Sequence, residues 1–233
     1  GLGFQYDDAQ IERSVRKEGA FKGCAEYVFT RMHAVEADVI KKIEQADIRT
    51  HPFPHLVIED LFPADTYERL MSEIPTEEQY EPLAKRGTTG YPERSTHPAP
   101  AFLSWMTKGR LRAALDNKFG IQSASDETLL LRDRPGYHIT PHTDTPAKAV
   151  TMLVYLGDAR HGTTLYTPND EGYSDPKGLH HRVDEFTEYR TLEGTPNSAL
   201  IFARTDTSFH GTKTWEGPGN RDVLLYDSKR KPC

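Results

Sequence analysis

The chain is poor in cysteine, in long apolar runs and in surplus positive charge. Two cysteines in 233 residues, Cys24 and Cys233, argue against an iron–sulfur cluster or a structural zinc site, and we expect free thiols in a reducing compartment. No apolar run approaches the roughly 18 residues that span a bilayer, and the N-terminus lacks a charged-then-apolar signal pattern. A formal net charge of -6 argues against a phosphate backbone as partner. We therefore expect a cytoplasmic protein that binds neither membranes nor nucleic acid.

The chain is long enough to bury a substantial core, and aromatic residues make up 10% of it. We expect a single domain over residues 1–233, with a helical N-terminal extension over residues 1–50. Apolar residues recur there at helical spacing: Val28, Met32, Val35, Val39 and Ile43. Such a stripe is typical of a packing surface.

The remaining chain divides at Gly120. Before it, the pattern predicts a strand over residues 56–62, helices over 64–74 and 102–118, and a long loop over 76–100. After it, short β-like runs alternate with turn residues, at 128–132, 150–156, 163–166, 198–202 and 223–226. Repeated short strands are typical of a sandwich, jelly roll or small barrel. The polar stretch 168–188 is predicted to be an inserted loop.

A possible metal-binding pair follows the Pro135-Gly136 turn. Residues two apart in a strand point to the same face, so His142 and Asp144 can hold one ion. Chance alone supplies about 0.7 such His-x-Asp pairs in a chain with ten histidines, so the pair needs support. His210 supplies it, because it follows the apolar run 199–203 after a short turn.

Two imidazoles and one carboxylate on one side of an ion leave three octahedral positions open. This arrangement suits Fe(II), which must bind a cosubstrate and O2 together, whereas zinc more often takes three such ligands and one water. Arg221 lies eleven residues after His210 and enters another predicted strand. Its guanidinium could bind a carboxylate in the same cavity, although a solvated hairpin arginine is the simpler interpretation.

Together these residues resemble the Fe(II)/2-oxoglutarate-dependent dioxygenases, and most of all their prolyl-hydroxylase-like branch. The resemblance covers residues 128–230, with a weaker echo over residues 51–75. It rests on the order His142, Asp144, His210 and Arg221, on the Pro135-Gly136 turn, and on the segments 151–156, 162–168, 196–202 and 208–211.

The resemblance implies an α+β protein that is mostly β, with a double-stranded β-helix, a cupin-like jelly roll, over about residues 120–230 and helical support before it. It implies that 2-oxoglutarate chelates the iron and that its far carboxylate pairs with Arg221. Tyr155 matches a position where the branch often places a hydroxyl on that carboxylate, although an ordinary core aromatic is equally consistent. O2 would take the last open position, and ascorbate could serve as reductant.

Two features of the resemblance narrow the reaction. Halogenating members have a small residue where this chain has Asp144, so oxygen insertion or desaturation is favoured. The nucleic-acid-repair branch has a second arginine six residues after the first, and this chain has Asp227 there. Arg134 and Tyr137 precede the metal pair and are the candidates for substrate contacts, with a turn charge and a packing aromatic as their simpler roles.

The other polar and aromatic residues near the motifs receive simpler interpretations. His138 would lie roughly 13 Å from His142 along a strand, too far to share its ion. His180 and His181 are expected to be a solvated loop pair. Trp215 could flank the cavity or fill a hairpin.

The sequence therefore predicts an oxygenase that hydroxylates or desaturates an unactivated C–H of a small molecule, such as an amino acid or natural-product intermediate. A peptide or protein residue is the alternative substrate. Two other hypotheses remain open: a cupin-like metalloenzyme that does not use 2-oxoglutarate, and a non-catalytic binding protein with this fold.

Overall fold

The structure, a computed structural model, describes residues 21–83, 91–158 and 160–231, with side chains from residue 33 onward. Predictions for residues 1–20 and 84–90, for Cys233, and for the side chains of Cys24, Val28 and Met32 lie outside the described residues. In the ranges described, no helix has the length and apolar character needed to span a membrane.

Three α-helices of the described residues precede the β-rich part: α1 (Phe21–Gln45), α2 (Ala64–Ser72) and α3 (Arg110–Phe119). In α1, Val39 and Ile43 are fully buried, so the described half of the predicted stripe is a packing surface. The predicted single helix over 102–118 is wrong. A 3-10 segment, Ala101–Thr107, is separated from α3 by Gly109, whose φ of 94° lies outside the helical region.

Eleven strands in the described part of the chain form two antiparallel sheets. They are β1 (His55–Ile58), β2 (Glu81–Pro82), β3 (Arg94–Pro98), β4 (Ser125–Asp133), β5 (Ile139–His142), β6 (Lys148–Leu156), β7 (Thr164–Pro168), β8 (Phe186–Thr191), β9 (Ala199–Ala203), β10 (His210–Thr212) and β11 (Arg221–Lys229). The larger sheet has the order β1-β9-β6-β11-β4-β3-β2, and the smaller has the order β5-β10-β7-β8. This arrangement confirms the predicted jelly roll with flanking helices.

Two strands, β3 and β8, are not predicted from the sequence because their composition is polar. β3 lies inside the predicted loop 76–100 and pairs with β4 along its full length. β8 overlaps the end of the predicted loop 168–188 and is the edge strand of the smaller sheet, with five of its six residues exposed. Apolar alternation is weak in an exposed edge strand, and β3 carries a charged residue whose partner lies on the neighbouring strand.

The larger sheet is covered on both faces, which explains its continuous apolar runs. On β9, Ala199 and Ile201 pack against the helices, whereas Leu200 and Phe202 belong to a second cluster that includes Leu165 of the smaller sheet. The cavity described below lies within this second layer, between the two sheets.

Asn197 fastens the loop before α2 to the larger sheet. It is buried and adopts a φ of 60°, which asparagine tolerates better than most residues. Its side-chain oxygen accepts a hydrogen bond from Phe62 N at 3.0 Å, and its side-chain nitrogen donates to Phe62 O at 2.9 Å.

We expect Asn197→Ala to lower the free energy of unfolding by about 2–4 kcal/mol, because it leaves two buried backbone groups unpaired. Denaturant unfolding measures the change. Asn169→Ala is the matched control, since the Asn169 side chain also makes two hydrogen bonds but is exposed. A control variant as destabilised as Asn197→Ala would contradict this assignment.

Candidate metal centre

Two neighbouring strands of the smaller sheet bring the histidines together. His142 is the last residue of β5 and His210 is the first residue of β10, and the two are directly paired in the antiparallel register. Their ring centroids are 4.3 Å apart. Direct pairing across strands therefore places two imidazoles, distant in sequence, on one site.

Asp144 joins them through a turn, not through strand alternation. The predicted strand ends at His142, and Asp144 has a φ of 65°. Aspartate is among the residues that adopt this conformation most readily. Its Oδ1 lies 3.6 Å from His142 Nε2, and its Oδ2 lies 3.6 Å from His210 Nε2. The predicted residues converge, but the same-face geometry predicted for them is wrong.

Backbone carbonyls orient both imidazoles. His142 Nδ1 bonds Thr140 O at 2.9 Å, and His210 Nδ1 bonds Ser208 O at 2.9 Å. A proton on each Nδ1 leaves Nε2 as an unprotonated metal ligand. Burial and the neighbouring His142 lower the pKa of His210 to about 3, which keeps its ring neutral. One potential ligand atom from each of the three residues lies within 4.8 Å of the others.

A half-buried lysine, which the sequence did not single out, supports the carboxylate. Lys148 Nζ lies 3.2 Å from Asp144 Oδ1 and 3.0 Å from Asp227 Oδ2. Thr151 donates to Asp227 at 2.8 Å and lies 3.2 Å from Asp144 Oδ2. Burial alone would raise the pKa of Asp144, but Lys148 and the two imidazoles hold it well below its ordinary value. Lys148 and Thr151 are polar residues in the otherwise apolar strand β6, and this is the sequence signal that could have indicated their role.

A cavity of about 100 Å³ extends from the three ligands into the space between the sheets. Its far end carries Arg94 and Arg221, which flank Asp133 in the strand register. Arg94 binds Asp133 through two nitrogens, at 2.5 and 2.8 Å, and Arg221 Nη1 donates to the same carboxylate at 2.6 Å. Two guanidiniums on one carboxylate leave one positive charge at this end.

Arg221 lies where the sequence predicts it, facing the cavity, and part of its donor capacity is committed to the protein. Besides Asp133, it donates to His161 O at 2.6 Å and Thr163 Oγ1 at 3.3 Å. A guanidinium has five N–H donors, so two remain for a ligand.

The other predicted cosubstrate and substrate residues have different surroundings. Tyr137 lines the cavity. Tyr155 does not, and its hydroxyl donates to Thr163 Oγ1 at 2.8 Å. Arg134 pairs with Glu77 outside the cavity lining. Roles for Tyr155 and Arg134 in binding stay predictions.

The predicted solvated histidine pair is partly wrong. His181 is largely buried, and its Nε2 lies 2.9 Å from Asp175 Oδ2, so a contact between side chains orders this loop. His180 is exposed but stacks on His142, with ring centroids 4.8 Å apart, and its Nε2 lies 3.0 Å from the Tyr91 hydroxyl. The loop therefore reaches the metal centre.

The remaining two predictions have clear outcomes. His138 is exposed and lies outside the three-residue ligand group, as expected. Trp215 is buried, stacks on His161 at 4.6 Å and meets the edge of Tyr137 at 6.5 Å. It is absent from the cavity lining, so it packs behind Tyr137.

The donor set fits a non-haem Fe(II) centre. Its two imidazoles and one carboxylate lie on one side, and a cavity opens in front of them. Within the described residues the group contains no further histidine, cysteine or acidic ligand. Open coordination positions would therefore face the cavity.

Comparison with known proteins gives structural relatives alone. No protein-family model matches the sequence, and no curated protein matches it. A prolyl-4-hydroxylase from Pseudomonas putida aligns with a TM-score of 0.52 and 15% identity, over 83% of this chain and 98% of that one. HygX from Streptomyces hygroscopicus, with nickel, 2-oxoglutarate and hygromycin B bound, aligns with a TM-score of 0.52 and 15% identity, over 76% and 83%. The similarity confirms the prolyl-hydroxylase-like fold.

We expect His210→Ala to abolish stoichiometric Fe(II) binding, because two ligands cannot replace the three-point site. Anaerobic titration calorimetry measures the stoichiometry. His138→Ala is the matched control and should bind Fe(II) as the wild type does. Full Fe(II) binding by His210→Ala would show that the metal lies elsewhere in the protein.

Gly178→Ala should weaken metal binding about 10- to 100-fold, the range found when supporting contacts of ligands are lost. A Cβ at Gly178 would lie 1.9 Å from Asp144 O, so the ligand must move. Gly172→Ala is the control in the same loop, because Gly172 also has a positive φ but has open space around it. Equal affinities for the two variants would refute this supporting role.

Proposed function

We propose that this protein is an Fe(II)- and 2-oxoglutarate-dependent oxygenase. His142, Asp144 and His210 hold the iron, and Arg221 binds the far carboxylate of 2-oxoglutarate. The observation that carries the proposal is one cavity that has the three metal ligands at one end and the Arg94–Asp133–Arg221 cluster at the other.

The charges of the two ends support a dianionic ligand. One carboxylate ligand leaves a divalent ion with one positive charge, and Lys148 and Asp227 form an adjacent pair of opposite charge. The arginine cluster contributes one further positive charge. A buried charge needs a partner, and a dicarboxylate supplies one at each end.

Each group of residues has a separate task. When bound, the iron activates O2 together with 2-oxoglutarate and supplies the oxidation of a C–H bond. The backbone carbonyls of Thr140 and Ser208 keep the imidazoles aimed at the iron. The apolar walls, Leu131, Leu153 and Leu225, exclude water from the middle of the cavity.

We infer that the substrate is a small molecule, such as an amino acid or natural-product intermediate, which is hydroxylated or desaturated. The Tyr91–His180 contact joins two loops beside His142, which favours a compact substrate. HygX, which has a similar fold, has been solved with hygromycin B bound. A peptide residue is the second candidate, favoured by the similarity to a prolyl-4-hydroxylase.

Succinate release tests the reaction. The wild-type protein with Fe(II), ascorbate, O2 and 2-oxoglutarate should release succinate, and the correct substrate should accelerate release. A panel of free amino acids and natural products, set against proline-containing peptides, separates the two substrate classes. Acceleration by peptides alone would overturn the small-molecule assignment.

The cupin-like alternative makes a different prediction. It expects normal Fe(II) binding but no visible charge-transfer band when 2-oxoglutarate is added under argon, and no succinate. A non-catalytic protein of this fold would bind no stoichiometric metal.

Arg221→Ala should raise the KM for 2-oxoglutarate about 10- to 100-fold, because charge-assisted hydrogen bonds to the far carboxylate are lost. Fe(II) binding should persist, since Arg221 is not a metal ligand. Arg69→Ala, which removes an exposed arginine on α2, is the control. An unchanged KM in Arg221→Ala would remove this residue from the cosubstrate site.

A further inference from the structure

The hydroxyl of Tyr137 is a buried polar group with no partner. The side chain is fully buried, lies between β4 and β5 and lines the cavity. No hydrogen-bond partner for its hydroxyl occurs among the residues that the structure describes. Buried hydroxyls are almost always paired, because an unpaired one loses its bonds to water without replacement. An unpaired hydroxyl on a residue that lines a cavity points to a ligand that completes it.

The ring is held firmly enough to aim that hydroxyl. The Arg94 guanidinium carbon lies 4.2 Å from the ring centroid, on its face. Tyr91 and Trp215 pack against it at centroid distances of 5.9 and 6.5 Å. Burial and the nearby Asp133 raise the pKa of Tyr137, although the arginines oppose this, so the hydroxyl keeps its proton and can donate.

The arginines next to Tyr137 identify the kind of ligand. Arg94 makes two hydrogen bonds among the described residues, both to Asp133, which leaves three of its five donors. Arg221 retains two. Free guanidinium donors and a phenolic donor at one cavity end suit a carboxylate, which accepts up to about four hydrogen bonds.

Tyr155 is less suited to this task. Its hydroxyl donates to Thr163 Oγ1 at 2.8 Å and accepts from Thr163 N at 3.2 Å. The hydroxyl therefore has a donor and an acceptor partner within the protein, and the residue does not line the cavity.

We propose that Tyr137, with Arg94 and Arg221, binds the far carboxylate of 2-oxoglutarate, and that Tyr155 only positions Thr163. This inference rests on the proposed function. Tyr137 then contacts 2-oxoglutarate and not the substrate. The tyrosine that binds the far carboxylate lies in the segment between β4 and β5, and not on β6 where Tyr155 lies.

The test is anaerobic titration of the Fe(II) protein with 2-oxoglutarate, followed by the charge-transfer absorbance. Tyr137→Phe should raise the Kd about tenfold or more, the effect of losing one hydrogen bond to a charged group. Tyr155→Phe should change it far less. Tyr226→Phe is the matched control, because its buried hydroxyl bonds Asp126 on the outer side of the larger sheet.

Thermal melting supplies a second measurement that does not depend on turnover. Without ligands, Tyr137→Phe should melt no lower than the wild type, since it removes an unpaired polar atom. Tyr226→Phe should melt lower. With metal and 2-oxoglutarate added, Tyr137→Phe should show a smaller rise in Tm than the wild type.

The outcomes separate this inference from the proposed function. A wild-type protein that gives no band and no 2-oxoglutarate-dependent rise in Tm refutes both. A wild type that binds, with Tyr137→Phe binding equally well, refutes the inference alone. Weakened binding in Tyr155→Phe but not in Tyr137→Phe would restore Tyr155 as the phenolic contact. If Tyr137→Phe keeps the Kd for 2-oxoglutarate but substrate no longer accelerates succinate release, Tyr137 contacts the substrate.

Discussion

The buried carboxylate of Asp133 holds two arginines at the closed end of the cavity. Asp133 is completely inaccessible to solvent and stands between Arg94 and Arg221 in the register of β3, β4 and β11. Two unneutralised guanidiniums at this depth would repel each other and pay a large desolvation penalty. With Asp133 between them, they keep one positive charge, and that charge faces the cavity. The sheet register therefore places a net positive charge beside the cavity.

The metal end depends on the same sheet through Lys148, Thr151 and Asp227. Thr151 and Asp227 are paired across β6 and β11, and Lys148 reaches from the start of β6 to both Asp144 and Asp227. The larger sheet therefore holds the carboxylate ligand, whereas the smaller sheet supplies the two imidazoles. Both ends of the cavity are therefore anchored to β11 and its neighbours.

Much of this arrangement could be predicted from residue types and spacing. The structure places four predicted residues in the cavity lining: His142, Asp144, His210 and Arg221. They could be predicted because metal and carboxylate sites require particular side chains, and a sequence shows residue types directly. The local geometry was less accessible. Strand alternation explained the His142–Asp144 pair incorrectly, since the left-handed conformation of Asp144 depends on tertiary packing that a two-residue motif does not encode.

Residues that act by pairing with others were the hardest to find. Lys148 and Asp133 are ordinary charged residues in the sequence, and only the folded structure shows that each lies between two groups of opposite charge. β3 was missed for the same reason, because its Arg94 looks like a loop charge until its partner is known. Tyr137 was noticed for its position before the metal pair. Its unpaired hydroxyl, which changes its proposed role, is a property of the folded state alone.

We propose that one dicarboxylate spans the cavity from the metal to the arginine cluster. A crystal structure of the protein grown without oxygen, with Fe(II) and 2-oxoglutarate, tests it most directly. We expect the keto-acid end to lie on the metal held by His142, Asp144 and His210, and the far carboxylate to lie within hydrogen-bond distance of Arg221. A metal bound elsewhere, or a far carboxylate that makes no contact with the arginine cluster, would contradict it.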